Sequence, residues 1–176
     1  MDHAESTDHA EYERRIAARF AGFDQDGNGY IDREDFVTAA KGLLAEFTTT
    51  ARCDKGQALY AGAEAFWQGM AGIADVDGDQ RVNREEFVTG AVKRLRDNPE
   101  RFAEIARPFL RAAIAVADQS GSGGLTPAAA ERVLRVLGVA PSLAGPVAAA
   151  LDADGDGRIS EEEIVTAFAH YFTVSE

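Results

Sequence analysis

Four stretches of this chain can be laid over one another as a twelve-residue loop set between two helical segments, beginning at Asp24, Asp75, Asp118 and Asp152. A repeat of this kind constrains the fold more than any bulk property, because each copy is one supersecondary unit that buries its apolar face only against a neighbour. The most complete copy runs from Asp152 to Glu163. It places Asp152, Asp154 and Asp156 at positions 1, 3 and 5, Gly157 at the bend and Glu163 at position 12. Alternate residues point inward around that bend, so their oxygens converge on one centre. A hard cation requires such a cage, and Ca²⁺ takes six to eight oxygens at about 2.3–2.6 Å. The Arg158 carbonyl turns in at position 7, Ser160 acts through a water at position 9, and Glu163 closes the sphere with two oxygens.

The first copy offers Asp24, Asp26, Asn28, the Tyr30 carbonyl and Asp32, but ends in Asp35 where the fourth copy has glutamate. One methylene is missing. A shorter carboxylate reaches an ion less easily with both oxygens, which moves this loop towards the six-coordinate geometry that Mg²⁺ also uses. The second copy keeps Asp75, Asp77, Asp79, the Arg81 carbonyl, Asn83 and Glu86, with Gln80 where the bend prefers glycine. A side chain in the left-handed region costs about 1–2 kcal/mol, which weakens a site without removing its ligands. The third copy has Ser120, Ser122 and Ala129 at positions 3, 5 and 12, leaving Asp118 as its one acid, and is expected to be structural. Three Ca²⁺ sites are therefore expected.

Position 8 is apolar in every copy (Ile31, Val82, Leu125, Ile159), as short strand pairing between loops taken two by two requires. Helical stripes flank the loops. Tyr12, Ile16, Phe20 and Phe23 precede the first, with Asp8 and Glu11 placed as a capping box, and Phe36, Ala40, Leu43, Leu44 and Phe47 follow it. Leu59, Ala63, Phe66, Met70 and Ile73 enter the second, and Phe87, Ala91 and Leu95 leave it, with Trp67 placed in the core. Asn98 and Pro99 start a helix carrying Phe102, Ile105, Phe109 and Val116, which Pro108 is expected to kink or split. The final unit uses Val133, Leu134 and Leu137, a short 147–151 segment, then Ile164, Phe168 and Tyr171. The expected fold is all-α and built of eight helical segments. Residues 1–97 form one pair of units (loops 24–35 and 75–86) and residues 98–176 the other (loops 118–129 and 152–163). The extra length between the first two loops falls near residues 48–56, and such uneven spacing points to one packed body.

The formal charge of −12 has a local source in the loop acids, and three Ca²⁺ ions would bring it to −6. Metal is thus expected to stabilise the folded state by binding it preferentially. An acidic chain of this kind is a poor partner for nucleic acid, whose phosphates require Lys and Arg. Cys53 is the one cysteine, which excludes an internal disulfide. Nothing in the first residues resembles a secretory signal, Asp2 excludes myristoylation, and no apolar run of about eighteen residues exists to span a bilayer. The expectation is a monomeric cytoplasmic protein.

These loops, the Asp35 ending, the long first connection, the silent third loop and Pro108 together resemble the calerythrin and sarcoplasmic calcium-binding protein family, over residues 12–172 or so. The resemblance implies a compact EF-hand fold of four hands in two pairs, and a bacterial Ca²⁺ buffer or carrier. Gln80 departs from it. Two roles follow from the residues: a buffer or signal modulator, or a sensor that exposes a groove to a target protein. Adaptable grooves favour methionine, and this chain has only Met1 and Met70, so the buffer is the leading expectation. No nucleophile, base and orienting residue can be picked out, so no enzymatic activity is expected.

Overall fold

The structure, a computed structural model, describes the backbone of residues 2–93 and 97–172. Leu95 lies outside the described residues, as do the side chains of Asp8, Phe102, Phe168 and Tyr171. The described chain is helical apart from its loops: α1 Asp2–Phe23, α2 Arg33–Glu46, α3 Asp54–Ala74, α4 Arg84–Glu86 continuing as a π-helix over Phe87–Val92, α5 Pro99–Ala117, α6 Pro127–Val136, α7 Pro141–Leu151 and α8 Glu161–Phe172. Each loop copy joins two of them in chain order, so the all-α expectation holds.

Helix starts follow side-chain chemistry. Asp32 and Asp35 form a capping box at α2, and Asn83 and Glu86 form another at α4, so the position-12 acid of each loop also closes the first turn of its exiting helix. Asn98 accepts from the Arg101 N–H and Thr126 from the Ala129 N–H, each followed by proline at the first helical position. Two local expectations fail. The helix α1 begins at Asp2, which puts residue 8 inside it; Glu11 instead takes the Arg15 guanidinium one turn on. The last short helix starts at Pro141 rather than Val147, because Pro141 is preset for a first turn; Pro146 lies inside the helix and gives up one backbone hydrogen bond there. Finally, α5 is not split at Pro108 but runs through it as one helix.

Pro108 sits where the backbone of α5 meets that of α3. A β-carbon on Gly62 would lie 2.8 Å from both the Pro108 carbonyl oxygen and the Phe109 α-carbon, so only glycine lets these two backbones meet. Around that contact Phe66 and Phe109 pack edge to face with centroids 6.1 Å apart, while Phe36 lies 5.0 Å from Phe66. One apolar cluster extends from Ile16 and Phe20 through Phe66, Trp67 and Phe87 to Phe109, Leu125 and Val165. The core therefore continues from the first hands into the last, carried by α3 and α5.

The loops are joined in twos at position 8. Ile31 and Val82 exchange backbone hydrogen bonds of 2.9 and 2.8 Å, and Leu125 and Ile159 exchange bonds of 2.9 and 2.7 Å. All four side chains are buried, which explains why the position stays apolar.

Candidate metal centres

Each loop is folded by hydrogen bonds from its own backbone to its position-1 aspartate. The position-6 N–H donates to Oδ2 of that residue in every copy: Gly29 to Asp24 at 2.9 Å, Gln80 to Asp75 at 3.0 Å, Gly123 to Asp118 at 2.7 Å and Gly157 to Asp152 at 2.9 Å. The bend that delivers this N–H needs positive φ. Gln80 adopts φ 64°, close to the glycines at 88°, 85° and 82°, so the second loop takes the common shape at the cost of local strain.

Three carboxylate clusters result. Asp75, Asp77, Asp79 and Glu86 each bring an oxygen within 4.8 Å of the others, as do Asp152, Asp154, Asp156 and Glu163, and as do Asp24, Asp26 and Asp35. Such crowding is unfavourable without a cation. Burial pushes the Asp75 carboxyl above its ordinary value, and the charges of Asp79 and Glu86 add to the rise against the Gln80 N–H. Among the described residues, Asp75 Oδ1 and Asp152 Oδ1 are buried side-chain oxygens with no hydrogen-bond partner. An orphaned acceptor at the first vertex of an oxygen cage is what a cation would satisfy, so the residues present fit Ca²⁺.

The remaining predicted residues take positions around these clusters. Asn28 Oδ1 accepts from the Tyr30 N–H at 2.9 Å, Asp79 Oδ1 from Arg81 at 3.0 Å and Asp156 Oδ1 from Arg158 at 2.8 Å, which orients the peptide whose carbonyl lies at position 7. Asp32, Asn83 and Ser160 at position 9 each cap the next helix through their side chains. The two glutamates at position 12 take the same pair of loop donors. Glu86 takes the N–H groups of Val76 and Asn83, and Glu163 those of Ala153 and Ser160. The N–H donors at positions 2 and 6 were not singled out from sequence, although the repeat itself marks both positions.

The third loop satisfies itself. Ser120 Oγ and Ser122 Oγ donate to Asp118 Oδ1 at 2.9 and 3.2 Å, filling with hydroxyl protons the vertex left open in the second and fourth loops. Burial pushes the Asp118 carboxyl up, but the Gly123 N–H and the two serines outweigh it and hold the group at about 2.

Comparison with known proteins agrees with this geometry. An EF-hand domain pair model matches residues 13–92 and an EF hand model matches residues 149–169. A solved calcium-binding protein of Streptomyces coelicolor is 68% identical, with a TM-score of 0.91 over 94% of this chain and 99% of that chain. The chain belongs to the calerythrin and sarcoplasmic calcium-binding protein family of EF-hand proteins. Calerythrin of Saccharopolyspora erythraea is 25% identical over 87% of both chains. The sarcoplasmic calcium-binding protein of amphioxus shares the fold at 15% identity, with a TM-score of 0.68 over 93% of this chain and 90% of that one. Ca²⁺ binding by EF-hands is accordingly the chemistry of this protein, and its relatives of this family are calcium-binding proteins.

Proposed function

We propose that the protein is a cytoplasmic, monomeric Ca²⁺ buffer or signal modulator with three sites and no catalytic activity, for which the bound ion is itself the outcome. The first site would use Asp24, Asp26, Asn28, the Tyr30 carbonyl, Asp32 and Asp35; the second Asp75, Asp77, Asp79, the Arg81 carbonyl, Asn83 and Glu86; the fourth Asp152, Asp154, Asp156, the Arg158 carbonyl, Ser160 and Glu163. The first also admits Mg²⁺, for the reason that Asp35 is short. The hands work as two pairs dividing near residue 97. Supporting the buffer reading is the shared core: Phe66 at the centre of the first pair packs on Phe109 of α5, so apolar surface that a sensor would present to a target is covered by the other half of the chain. Among the described residues no helix is long and apolar enough to cross a membrane.

A second reading has one specific support. The Streptomyces coelicolor relative is described in terms of prokaryotic calcium-mediated regulation, which favours a sensor acting on a target protein. ANS fluorescence with chelator and then with Ca²⁺ separates the two. A buffer gives a small change on adding Ca²⁺, and a severalfold rise would reject it in favour of the sensor. Calorimetric titration, repeated for Asp152→Ala and Asp75→Ala, gives the site count, and each substitution is expected to remove one equivalent.

A further inference from the structure

We propose that the residue at loop position 10 is an ionic latch, a positioning residue that fixes the neighbouring position-12 carboxylate and holds the paired hands against opening. Arg33, Arg84 and Glu161 occupy this position in the three carboxylate-rich loops, and each is the first residue of its exiting helix. Each reaches the entering helix of the other hand in its pair. Arg33 Nε binds Glu64 of α3 at 2.9 Å, Arg84 Nη2 binds Glu13 of α1 at 3.5 Å, and Glu161 Oε1 accepts from Arg111 Nε of α5 at 2.6 Å. The polarity is opposite in the two halves, arginine on the loop in the first pair and glutamate on the loop in the last. One connection built from two inverted charge arrangements is not a by-product of the acidic loops. In the silent third loop position 10 is Pro127, which has no charge to offer.

The fourth hand carries the strongest form. Arg107 Nη1 also donates to Glu162 Oε1 at 2.7 Å and to Glu161 Oε2 at 3.4 Å, so two adjacent glutamates tie the first turn of α8 to α5. The third, Glu163, takes the loop N–H groups of Ala153 and Ser160. Opening a hand pivots the exiting helix about the loop, which would draw this first turn away from α5 and break the latch. With the latch intact, the position-12 carboxylate is presented in place before the ion arrives, and less ordering accompanies binding.

This inference rests on the fourth loop being a Ca²⁺ site, and its test uses the full-length protein with Arg107 and Arg111 replaced together. Charge alone predicts that R107Q/R111Q, by removing two cations beside an acidic loop, tightens Ca²⁺. The latch predicts the opposite: Ca²⁺ binding at the fourth loop weakened about three- to tenfold, matching faster release in stopped-flow chelation, with R107K/R111K restoring most of it. Unchanged or tighter binding overturns the latch. Circular dichroism in chelator controls for folding, and the single substitution R111Q serves if the double variant loses helix. If Asp152→Ala leaves the stoichiometry of the parent unchanged, the site assignment fails and the latch with it; if Asp152→Ala removes one equivalent and R107Q/R111Q does nothing, the latch alone fails.

Discussion

Asp35 Oδ1 accepts the backbone N–H of Asp26 at 3.2 Å, one residue further round the loop than the glutamates reach. Glu86 and Glu163 take the N–H at position 2, from Val76 at 2.9 Å and Ala153 at 2.7 Å. The other oxygen of all three acids takes the N–H at position 9. Losing one methylene therefore shifts the acid's register against the loop and buries it more deeply, with Asp35 only 1% exposed against 9% for Glu86.

Asp35→Glu is expected to restore the position-2 register and the second metal-facing oxygen. Competition titrations should then show the preference of the first loop for Ca²⁺ over Mg²⁺ rising about tenfold, since Mg²⁺ rejects the added ligand that Ca²⁺ accepts. An unaltered ratio would show that position 12 does not set selectivity here.

Burial pushes the Asp35 carboxyl up to about 6, with the Asp32 and Asp26 charges adding to the rise and their backbone N–H groups opposing it. An unfolded aspartate titrates near about 4, so in the metal-free protein the folded state binds more protons across about pH 4–6. Stability from this group is present below that window and lost as pH rises through it. In chelator, the stability of Asp35→Asn relative to the parent is expected to shift in favour of the variant by about 1–3 kcal/mol between pH 4 and pH 7, on top of a pH-independent cost because asparagine has one acceptor oxygen for the two N–H groups that Asp35 takes. Urea denaturation along that pH series measures the shift, and a constant difference contradicts the assignment.

Gln80→Gly relieves the strain of φ 64° at the second bend. Relief of about 1–2 kcal/mol, less the greater freedom of glycine in the unfolded chain, leaves a net gain of about 0.5–1 kcal/mol. The metal-free melting temperature should rise. A fall would mean that the glutamine side chain makes a stabilising contact outweighing its backbone cost.

Asp118→Asn tests the self-satisfied loop. The acid is held near 2, so its contribution is present above about pH 4 and lost as pH falls towards about 2. At neutral pH the variant should lose about 1–3 kcal/mol, because the Gly123 N–H and the two serine hydroxyls face a weaker acceptor. Ca²⁺ stoichiometry measured by calorimetry should not change; a lost equivalent would make the third loop a metal site.

Much of the metal chemistry was legible before any coordinates. Asp152, Asp154, Asp156 and Glu163 lie within twelve residues of one another, so their convergence needs only a local bend, and the apolar Ile31, Val82, Leu125 and Ile159 already implied the two bridges. Long-range geometry was less legible. Pro108 signals a kink or a split, and α5 is not split there but continues through it where Gly62 of α3 leaves room. Nothing local marks Arg33, Arg84 and Glu161, since their partners Glu64, Glu13 and Arg111 lie at sequence distances unrelated to the repeat.

The order of residues along each loop determined where oxygens gather and which cation they suit, because ligand spacing within twelve residues is set by backbone geometry alone. Only the tertiary structure decided how hands lean on one another: which helix Glu161 grips, how closely α3 and α5 approach, and that Ser120 and Ser122 close the vertex on Asp118. Those outcomes depend on the packing of residues distant in the chain and on rotamers within a loop, and no periodicity in the sequence encodes either.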